Sequence, residues 1–195
     1  MAKTFDAIDD RLRSWIARQR MFFVGTAPRD GGHVNVSPKG PIETLAILGP
    51  REVAYLDLVG SGAETVAHLR DDGRLCVMLC AFAGPPRIVR LHGTGEAILA
   101  DDPRFAPLAD RAGLDVERFG GQGLQRAVIR LDVDRIADSC GYGVPLMAYE
   151  GERPQMQAWA DRKRAKGGVE ALRAYQREHN ATSIDGLPGV EPRDA

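Results

Sequence analysis

Short apolar or alternating stretches, each closed by glycine, proline or aspartate, follow one another through most of the chain. An apolar run at 21–27 and an alternating run at 33–37 flank the turn sequence at 29–32, which predicts a β-hairpin. Residues 44–48 and 52–58 flank a Gly-Pro turn in the same way. No long helical stretch separates these runs, as the crossovers of a parallel sheet would require. The sequence therefore predicts an antiparallel sheet or a small barrel.

The rest of the chain supplies three more strands and several helices. The further strands are predicted at 74–82, 87–99 and 127–136, with a bend or bulge at Gly93 and Gly95. Apolar residues at helical spacing predict an opening helix over 5–19, with Thr4 as a candidate cap. Further helices are predicted over 64–70, 102–112, 154–166 and 169–178. The last dozen residues are predicted to form an irregular tail.

Composition narrows the class of protein. Hydrophobic residues make up 44% of the 195 residues, which suffices for a folded core. The formal net charge is −1, without the basic excess of a nucleic-acid binder, so we expect no nucleic-acid partner.

The longest uncharged run has twelve residues, too few to span a membrane, and the N-terminus has no apolar signal region. Three irregularly spaced cysteines make no disulfide framework, so we expect a cytoplasmic location.

The sequence Gly-Ser-Gly-Ala-Glu-Thr at 60–65 is the most informative local motif. It follows a predicted strand and opens a predicted helix, where free N–H groups can bind an anion. The hydroxyl groups of Ser61 and Thr65 add donors, whereas Glu64 would repel a phosphate. The motif lacks the lysine of a P-loop and the third glycine of a dinucleotide fingerprint. A plain turn that begins a helix explains the same residues equally well.

Two other segments are candidate binding sites. At 35–40 the alternation places Asn35 and Ser37 on one face, and Lys39 could meet a phosphate or an electron-rich carbonyl. The alternative is the solvated face of an edge strand. At 139–145 two glycines flank an aromatic residue and follow Cys140, which has no positioned base and is more simply a loop cysteine.

The remaining cysteines give no sign of a metal site. Cys76 and Cys80 lie four residues apart in a predicted strand, so both are expected to face the core. They do not form a Cys-x-x-Cys pair, and no second cluster of histidine and cysteine accompanies them. We therefore expect no bound metal.

These segments, in this order and spacing, resemble the pyridoxamine 5′-phosphate oxidase-related family of FMN-binding split barrels. The resemblance covers most of the chain and is carried by HVNVSPKG (33–40), AYLDLVGSGAETVAHL (54–69), GRLCVMLCAF (73–82), PPRIVRLHGTGEA (85–97), SCGYGVP (139–145) and NATSIDGLPG (180–189). It implies a mainly β (α+β) fold, an antiparallel split barrel of Greek-key type with an N-terminal helix, a crossover helix and C-terminal helices. One domain over 1–195 is expected, with the N-terminal helix at 1–20, the barrel at 21–138 and the loop, terminal helices and tail at 139–195.

The resemblance also implies a cofactor and a partner. Family members are homodimers that hold two FMN molecules at the interface, each touched by both chains. Carried over by position, the strand at 35–39 would follow the flavin, the turn at 61–65 would hold its phosphate, and the loop after the last strand would reach it from the partner chain. The residues so implied are Asn35, Val36, Ser37, Lys39, Asp57, Ser61, Gly62, Glu64, Thr65, Ile88, Val89, Cys140, Gly141 and Tyr142.

The chain departs from the family's oxidases at two places. Glu64 and Thr65 stand where those oxidases carry an Arg-Lys pair, and the chain ends in SIDGLPGVEPRDA rather than in a basic segment with tryptophan. We therefore expect an FMN-dependent oxidoreductase that differs from pyridoxamine 5′-phosphate oxidase and acts on an unidentified small molecule. The alternatives are a non-catalytic flavin- or haem-binding protein on the same fold, a deazaflavin-dependent reductase, or an interaction domain that holds no cofactor. No side chain is assigned as a catalytic acid or base.

Overall fold

An eight-stranded antiparallel sheet organises the residues described by the computed structural model, which are 3–190 except Gln122. Its order is β3-β2-β6-β7-β8-β5-β4, with β1 paired to β8. The strands are β1 (Lys3–Phe5), β2 (Phe22–Thr26), β3 (Asn35–Lys39), β4 (Leu45–Gly49), β5 (Glu52–Leu58), β6 (Arg74–Cys80), β7 (Ile88–Leu99) and β8 (Gln125–Ser139). The predicted fold class, mainly β with added helices, is confirmed, and both predicted hairpins form.

Helices lie at the start, between strands and at the end of the described chain. They are α1 (Asp10–Ala17), α2 (Glu64–Asp71), α3 (Phe105–Ala112), α4 (Val116–Gly120) and α5 (Gln155–His179), with a short 3-10 turn at Ile42–Thr44. The backbone of α5 is non-helical at Gly167 and Gly168, and Gly168 has a φ of 62°. The two C-terminal helices predicted from the sequence are therefore the two halves of α5. No helix within residues 3–190, Gln122 apart, is long and apolar enough to cross a membrane.

The prediction of a helix from residue 5 was wrong at its N-terminal end. Asp9, rather than Thr4, caps α1, because its side chain accepts a hydrogen bond of 2.7 Å from the Leu12 N–H. Thr4 belongs to β1 and lies opposite Ala137. Strand β8 is longer than its neighbour β5, so its last residues offer an open edge, and β1 pairs with that edge.

The sheet curls until strands that are distant in its order pack against each other. The rings of Phe22 and Tyr55 meet edge to face with centroids 5.4 Å apart, although β6, β7 and β8 separate β2 from β5 in the sheet. The enclosed core is completed by apolar residues of α1 and α2, namely Leu12, Ile16, Val66 and Leu69. This closure brings the polar end of β3 close to β5 and β8.

The long strand pair β7–β8 contains the bulge that the glycines predicted. The pairing register shifts between His92 and Gly93. A Cβ on Gly93 would lie 1.9 Å from the Asp132 carbonyl oxygen, so no larger residue fits there without moving the backbone.

The expectation that both β6 cysteines are directed to the core is met only in part. Cys80 is buried, whereas Cys76 is half-buried. The two cysteines share one face of β6, as expected, but Leu75, Val77 and Leu79 on the opposite face belong to the main core cluster.

Candidate functional site

A cavity of about 360 Å³ lies where the end of β3 faces the loop between β5 and α2. Predicted residues from two separate segments line it together: Asn35, Ser37 and Lys39 from β3, with Ser61, Gly62, Glu64 and Thr65 from the loop and α2. Leu56, Leu58 and Met156 supply apolar surface on its wall. The polar end of β3 and the start of α2 thus face the same cavity, and apolar side chains line another part of its wall.

A buried carboxylate, Asp57, does not line this cavity itself but binds two of the cations that do, Lys39 and Arg126. Asp57, fully buried on β5, accepts hydrogen bonds of 2.7 Å from Lys39 Nζ and of 2.7 Å from Arg126 Nε. Burial alone would raise the pKa of Asp57, but the two cations outweigh it and lower that pKa to about 2. Its contribution to stability is therefore present at neutral pH and is lost as the pH falls below 3.8 towards about 2.

Arg126 connects this carboxylate to the glycine loop. Its Nη1 donates 2.6 Å to the Gly62 carbonyl and 3.2 Å to Asn180 Oδ1. Asn180, itself buried, donates from Nδ2 to the Gly60 carbonyl at 3.0 Å. Two side chains that come from β8 and from the end of α5 therefore fix the loop.

The start of α2 leaves backbone donors available to a ligand. Ala63 is the N-cap residue and makes no side-chain cap, and the first backbone hydrogen bond closing the helix runs from Ala67 N–H to the Ala63 carbonyl. Within the described part of the chain, the N–H groups of Glu64, Thr65 and Val66 have no acceptor. Such groups, with the positive end of the helix dipole, attract anions.

A hydrogen-bonded network orients the polar face of β3. Ser37 Oγ donates 2.8 Å to Asn35 Oδ1, and Asn35 Nδ2 donates 3.1 Å to Thr26 Oγ1 and 3.3 Å to Thr65 Oγ1. Thr26 Oγ1 lies 3.0 Å from His68 Nδ1, which is fully buried on α2. Because Thr65 accepts from Asn35, its own proton is available to a ligand or a neighbour.

Two buried polar atoms beside this network lack partners among the described residues. They are the Tyr55 hydroxyl and His68 Nε2, and the latter lies 3.9 Å from Glu64 Oε2. Burial raises the pKa of Tyr55 well above its usual range, so this phenol remains protonated at neutral pH.

Residues 180–190, named here the C-terminal clasp, cover the outer side of α2. The Ile184 N–H donates to the Glu64 carboxylate at 3.1 Å, and Arg70 donates to the Gly189 carbonyl. Asp185 accepts from the His33 backbone N–H at 2.8 Å and lies 2.7 Å from His33 Nδ1. The described part of the tail that was predicted to be irregular, up to residue 190, forms no helix or strand but is held at several points to the site, and residues 191–195 lie outside the described chain.

The remaining predicted site residues do not line this cavity in the single chain. Val36 points outward and is 64% exposed, as expected from its place between Asn35 and Ser37. Val89 is buried in the core and Ile88 is half-buried. In the loop after β8, Cys140 and Tyr142 are exposed, and Gly141 packs against the Arg87 backbone. A role for these residues at the cofactor stays a prediction.

Sequence reasoning missed Arg126, Asn180 and His68. Arg126 precedes the run that was predicted to be a strand, and a charged residue at the edge of an apolar run was the available signal. Asn180 falls in the segment predicted to end the last helix and start the tail, and no periodicity marks it.

Between residues 3 and 190, Gln122 excluded, no group of three or more histidine, cysteine or acidic residues could hold a metal ion.

Comparison with known proteins gives one family. The family described as pyridoxamine 5′-phosphate oxidase matches residues 8–140. The pyridoxamine 5′-phosphate oxidase family protein ustO of Aspergillus flavus is 42% identical, over 95% of this chain and 77% of that protein.

Solved structures resemble the chain more remotely. An FAD-binding protein of Mesorhizobium loti is 14% identical, with a TM-score of 0.49, over 71% of this chain and 96% of that one. An FMN-binding protein of Syntrophomonas wolfei is 18% identical, with a TM-score of 0.48, over 65% of this chain and 82% of that one. Likeness at this level says nothing about the ligand of this chain.

The substitution Asp57→Asn tests the buried carboxylate that pairs with Lys39 and Arg126. Removing the charge leaves the buried Arg126 guanidinium without its carboxylate, so we expect the free energy of unfolding to fall by about 3 kcal/mol. Asp132→Asn is the matched control, since Asp132 pairs with Arg130 but is 59% exposed, and it should change stability by less than about 1 kcal/mol. Urea denaturation at pH 7 measures both. Equal losses in the two variants would contradict this account of Asp57.

The C-terminal clasp should loosen as the pH rises. The hydrogen bond and charge of Asp185 raise the pKa of His33 above 6.5, so the stabilisation it adds is complete below pH 6.5 and is lost as the pH rises through the raised value. Hydrogen exchange of residues 180–190, corrected for its intrinsic pH dependence, should lose protection as the pH rises above 6.5. His33→Gln removes the titration and should abolish the trend, and a trend that persists in this variant would exclude His33 as its cause.

Proposed function

The chain belongs to the pyridoxamine 5′-phosphate oxidase family, and from that premise we propose that it is an FMN-binding oxidoreductase. The observation that carries the proposal is the cavity itself. It unites the polar face of β3 with the open start of α2, the two segments from which the sequence predicted ligand contacts. Helix-start donors and the polar groups of β3 in one cavity suit a molecule that carries both a phosphate and a polar ring.

The phosphate would lie at the start of α2. The N–H groups of Glu64, Thr65 and Val66 are unoccupied by other described groups, and the Ser61 and Thr65 hydroxyls lie at the same place. Because Thr65 accepts from the Asn35 amide, its own proton can be donated either to a phosphate oxygen or to the buried Tyr55 hydroxyl beside it. This end of the cavity therefore fits the phosphate of FMN by its donors.

The flavin ring would lie along β3. Asn35, Ser37 and Lys39 offer hydrogen bonds on one side, and Leu58 and Met156 supply apolar surface. Asp57 fixes the Lys39 ammonium at 2.7 Å, so this donor is already oriented towards an electron-rich edge of the ring. When bound, the flavin supplies the hydride and electron transfer. The protein residues orient the ring, donate hydrogen bonds and hold the phosphate.

A homodimer would complete the site. Large apolar side chains are exposed just before and on β3 and on the loop after β8, including Val34 at 73%, Val36 at 64%, Tyr142 at 83% and Leu146 at 78%. Exposed apolar surface of this kind is typical of a protein–protein interface. The proposal brings Cys140, Gly141 and Tyr142 of one protomer towards the cofactor of the other, which is consistent with their absence from the cavity of their own chain.

The chemistry of the cysteines supports a cytoplasmic location. Cys76, Cys80 and Cys140 are all free thiols. Free thiols persist in a reducing compartment, whereas secreted domains of modest size commonly use disulfides.

Flavin titration of side-chain variants tests the phosphate site. Thr65→Ala and Ser61→Ala each remove one hydroxyl donor, and we expect FMN binding to weaken by about tenfold in each variant. The exposed residues Thr94 and Ser14 provide the matched controls Thr94→Ala and Ser14→Ala, which should bind FMN like the unaltered protein. Fluorescence quenching of FMN measures the four dissociation constants. Unchanged affinity in both site variants would remove the phosphate from this position.

An absorbance spectrum after addition of FMN and desalting separates the broader alternatives. Retained flavin that is bleached by a reduced nicotinamide nucleotide supports an oxidoreductase, and retained flavin that is never reduced supports a binding protein. No retained flavin would contradict the proposal and would direct the same measurement to haem and to deazaflavin.

Dilution tests the shared interface. If each cofactor contacts both protomers, flavin should be released as the protein is diluted through the range in which sedimentation shows dissociation to monomers. The control is the same dilution series with FMN held at a saturating concentration, in which dimers should persist to lower protein concentration. A monomer that retains flavin would exclude a shared site.

A further inference from the structure

The charged side chains at the cavity cancel one another. Lys39 and Arg126 carry the positive charges, and the carboxylates of Asp57 and Glu64 carry the negative ones. Both cations are already engaged by Asp57 at 2.7 Å. The group of Lys39, Asp57 and Arg126 therefore keeps one net positive charge, and the Glu64 carboxylate at the same cavity offsets it.

Glu64 lies at the end of the cavity where the helix donors are. It is the first residue of α2, and its Oε1 is 3.8 Å from the position that a Cβ on Gly62 would occupy. The Ile184 N–H of the C-terminal clasp holds the carboxylate there at 3.1 Å, and only 16% of the side chain is exposed. His68 Nε2, at 3.9 Å, is the nearest ionisable nitrogen recorded for this carboxylate.

Two opposing effects therefore meet at one place. The N–H groups and the Ser61 and Thr65 hydroxyls attract a phosphate, whereas the Glu64 carboxylate repels it. A phosphomonoester carries about −1.5 to −2 charges at pH 7, so the repulsion grows with its second ionisation. A hydroxyl group at the end of the ligand would meet the same donors without the repulsion.

We infer that Glu64 is a specificity-determining residue that opposes a doubly charged phosphate, so the cavity accepts flavins with an uncharged side chain almost as readily as FMN. This inference rests on the proposed flavin site. The expected preference for FMN over riboflavin is about tenfold or less. The hydrogen bond from the Ile184 N–H needs only an oxygen acceptor and not a charge. The effect of Glu64 on this preference is therefore expected to come from its negative charge.

Riboflavin and FMN titrations of Glu64→Gln test the inference. Glutamine keeps an oxygen that can accept from the Ile184 N–H but removes the charge. At pH 7.5 and low salt, FMN affinity should rise by about tenfold while riboflavin affinity changes less than about twofold. Glu178→Gln, an exposed residue of α5, is the matched control and should change neither constant. Hydrogen exchange of residues 180–190 verifies that the clasp stays in place in Glu64→Gln.

The possible outcomes are distinct. A rise in FMN affinity alone, reduced at high salt, supports the inference. Equal changes for both flavins, or no change for FMN, would overturn it, since Glu64 would then act through structure or not at all. An unaltered protein that binds FMN at least about a hundredfold more tightly than riboflavin would overturn it and leave the flavin site standing. Failure of both flavins to bind would overturn the proposed function, and this inference with it.

Discussion

The carboxylate of Asp57 is the interaction on which the arrangement of the site depends. Lys39 belongs to β3, which ends one side of the sheet, and Arg126 belongs to β8, which lies next to β5. The sheet must curl for these cations to reach one carboxylate. Once they do, each charge stabilises the others in a place where any of them alone would be strongly destabilising. The ion triad, which consists of Lys39, Asp57 and Arg126, and the apolar core thus require the same curvature of the sheet.

The polar groups around this triad depend on it in turn. Arg126 is oriented by Asp57 and so reaches the Gly62 carbonyl and the Asn180 side chain. The loop carbonyls are then occupied, which leaves the N–H groups at the start of α2 as the donors that face a ligand. The network from Ser37 through Asn35 to Thr26 and His68 holds the opposite wall. The walls of the cavity are therefore linked by charges and hydrogen bonds that run through the closed sheet.

Much of the fold could be predicted from local pattern, because each hairpin is made by neighbouring segments. The alternation at 33–37 and the turn after 44–48 predicted paired strands that the structure contains. The opening helix was predicted to begin too early. Lys3–Phe5 forms a strand because it pairs with β8, which lies more than 130 residues further along the chain. No local pattern reports such a distant edge.

The same distance explains which site residues were found. Ser61 and Thr65 were found because a strand, a glycine turn and a helix start are contiguous in sequence. Arg126 and Asn180 were missed because their roles arise from contacts over 69 and 120 residues with Asp57 and Gly60. Which face of β6 carries Cys76 and Cys80 could not be predicted either, because alternation fixes only that two such residues share a face.

The hydrogen bond from Asn180 to the Gly60 carbonyl affects when, during synthesis of the chain, the cavity can form. A ribosome releases the glycine loop long before it releases the end of α5, so for most of its synthesis the chain lacks the amide that holds this loop. The contact has a high sequence separation, and contacts of this kind form late because the entropy of a long loop opposes them. The sheet can assemble first, from hairpins. The cavity acquires its final shape only when the last part of the described chain has been synthesised.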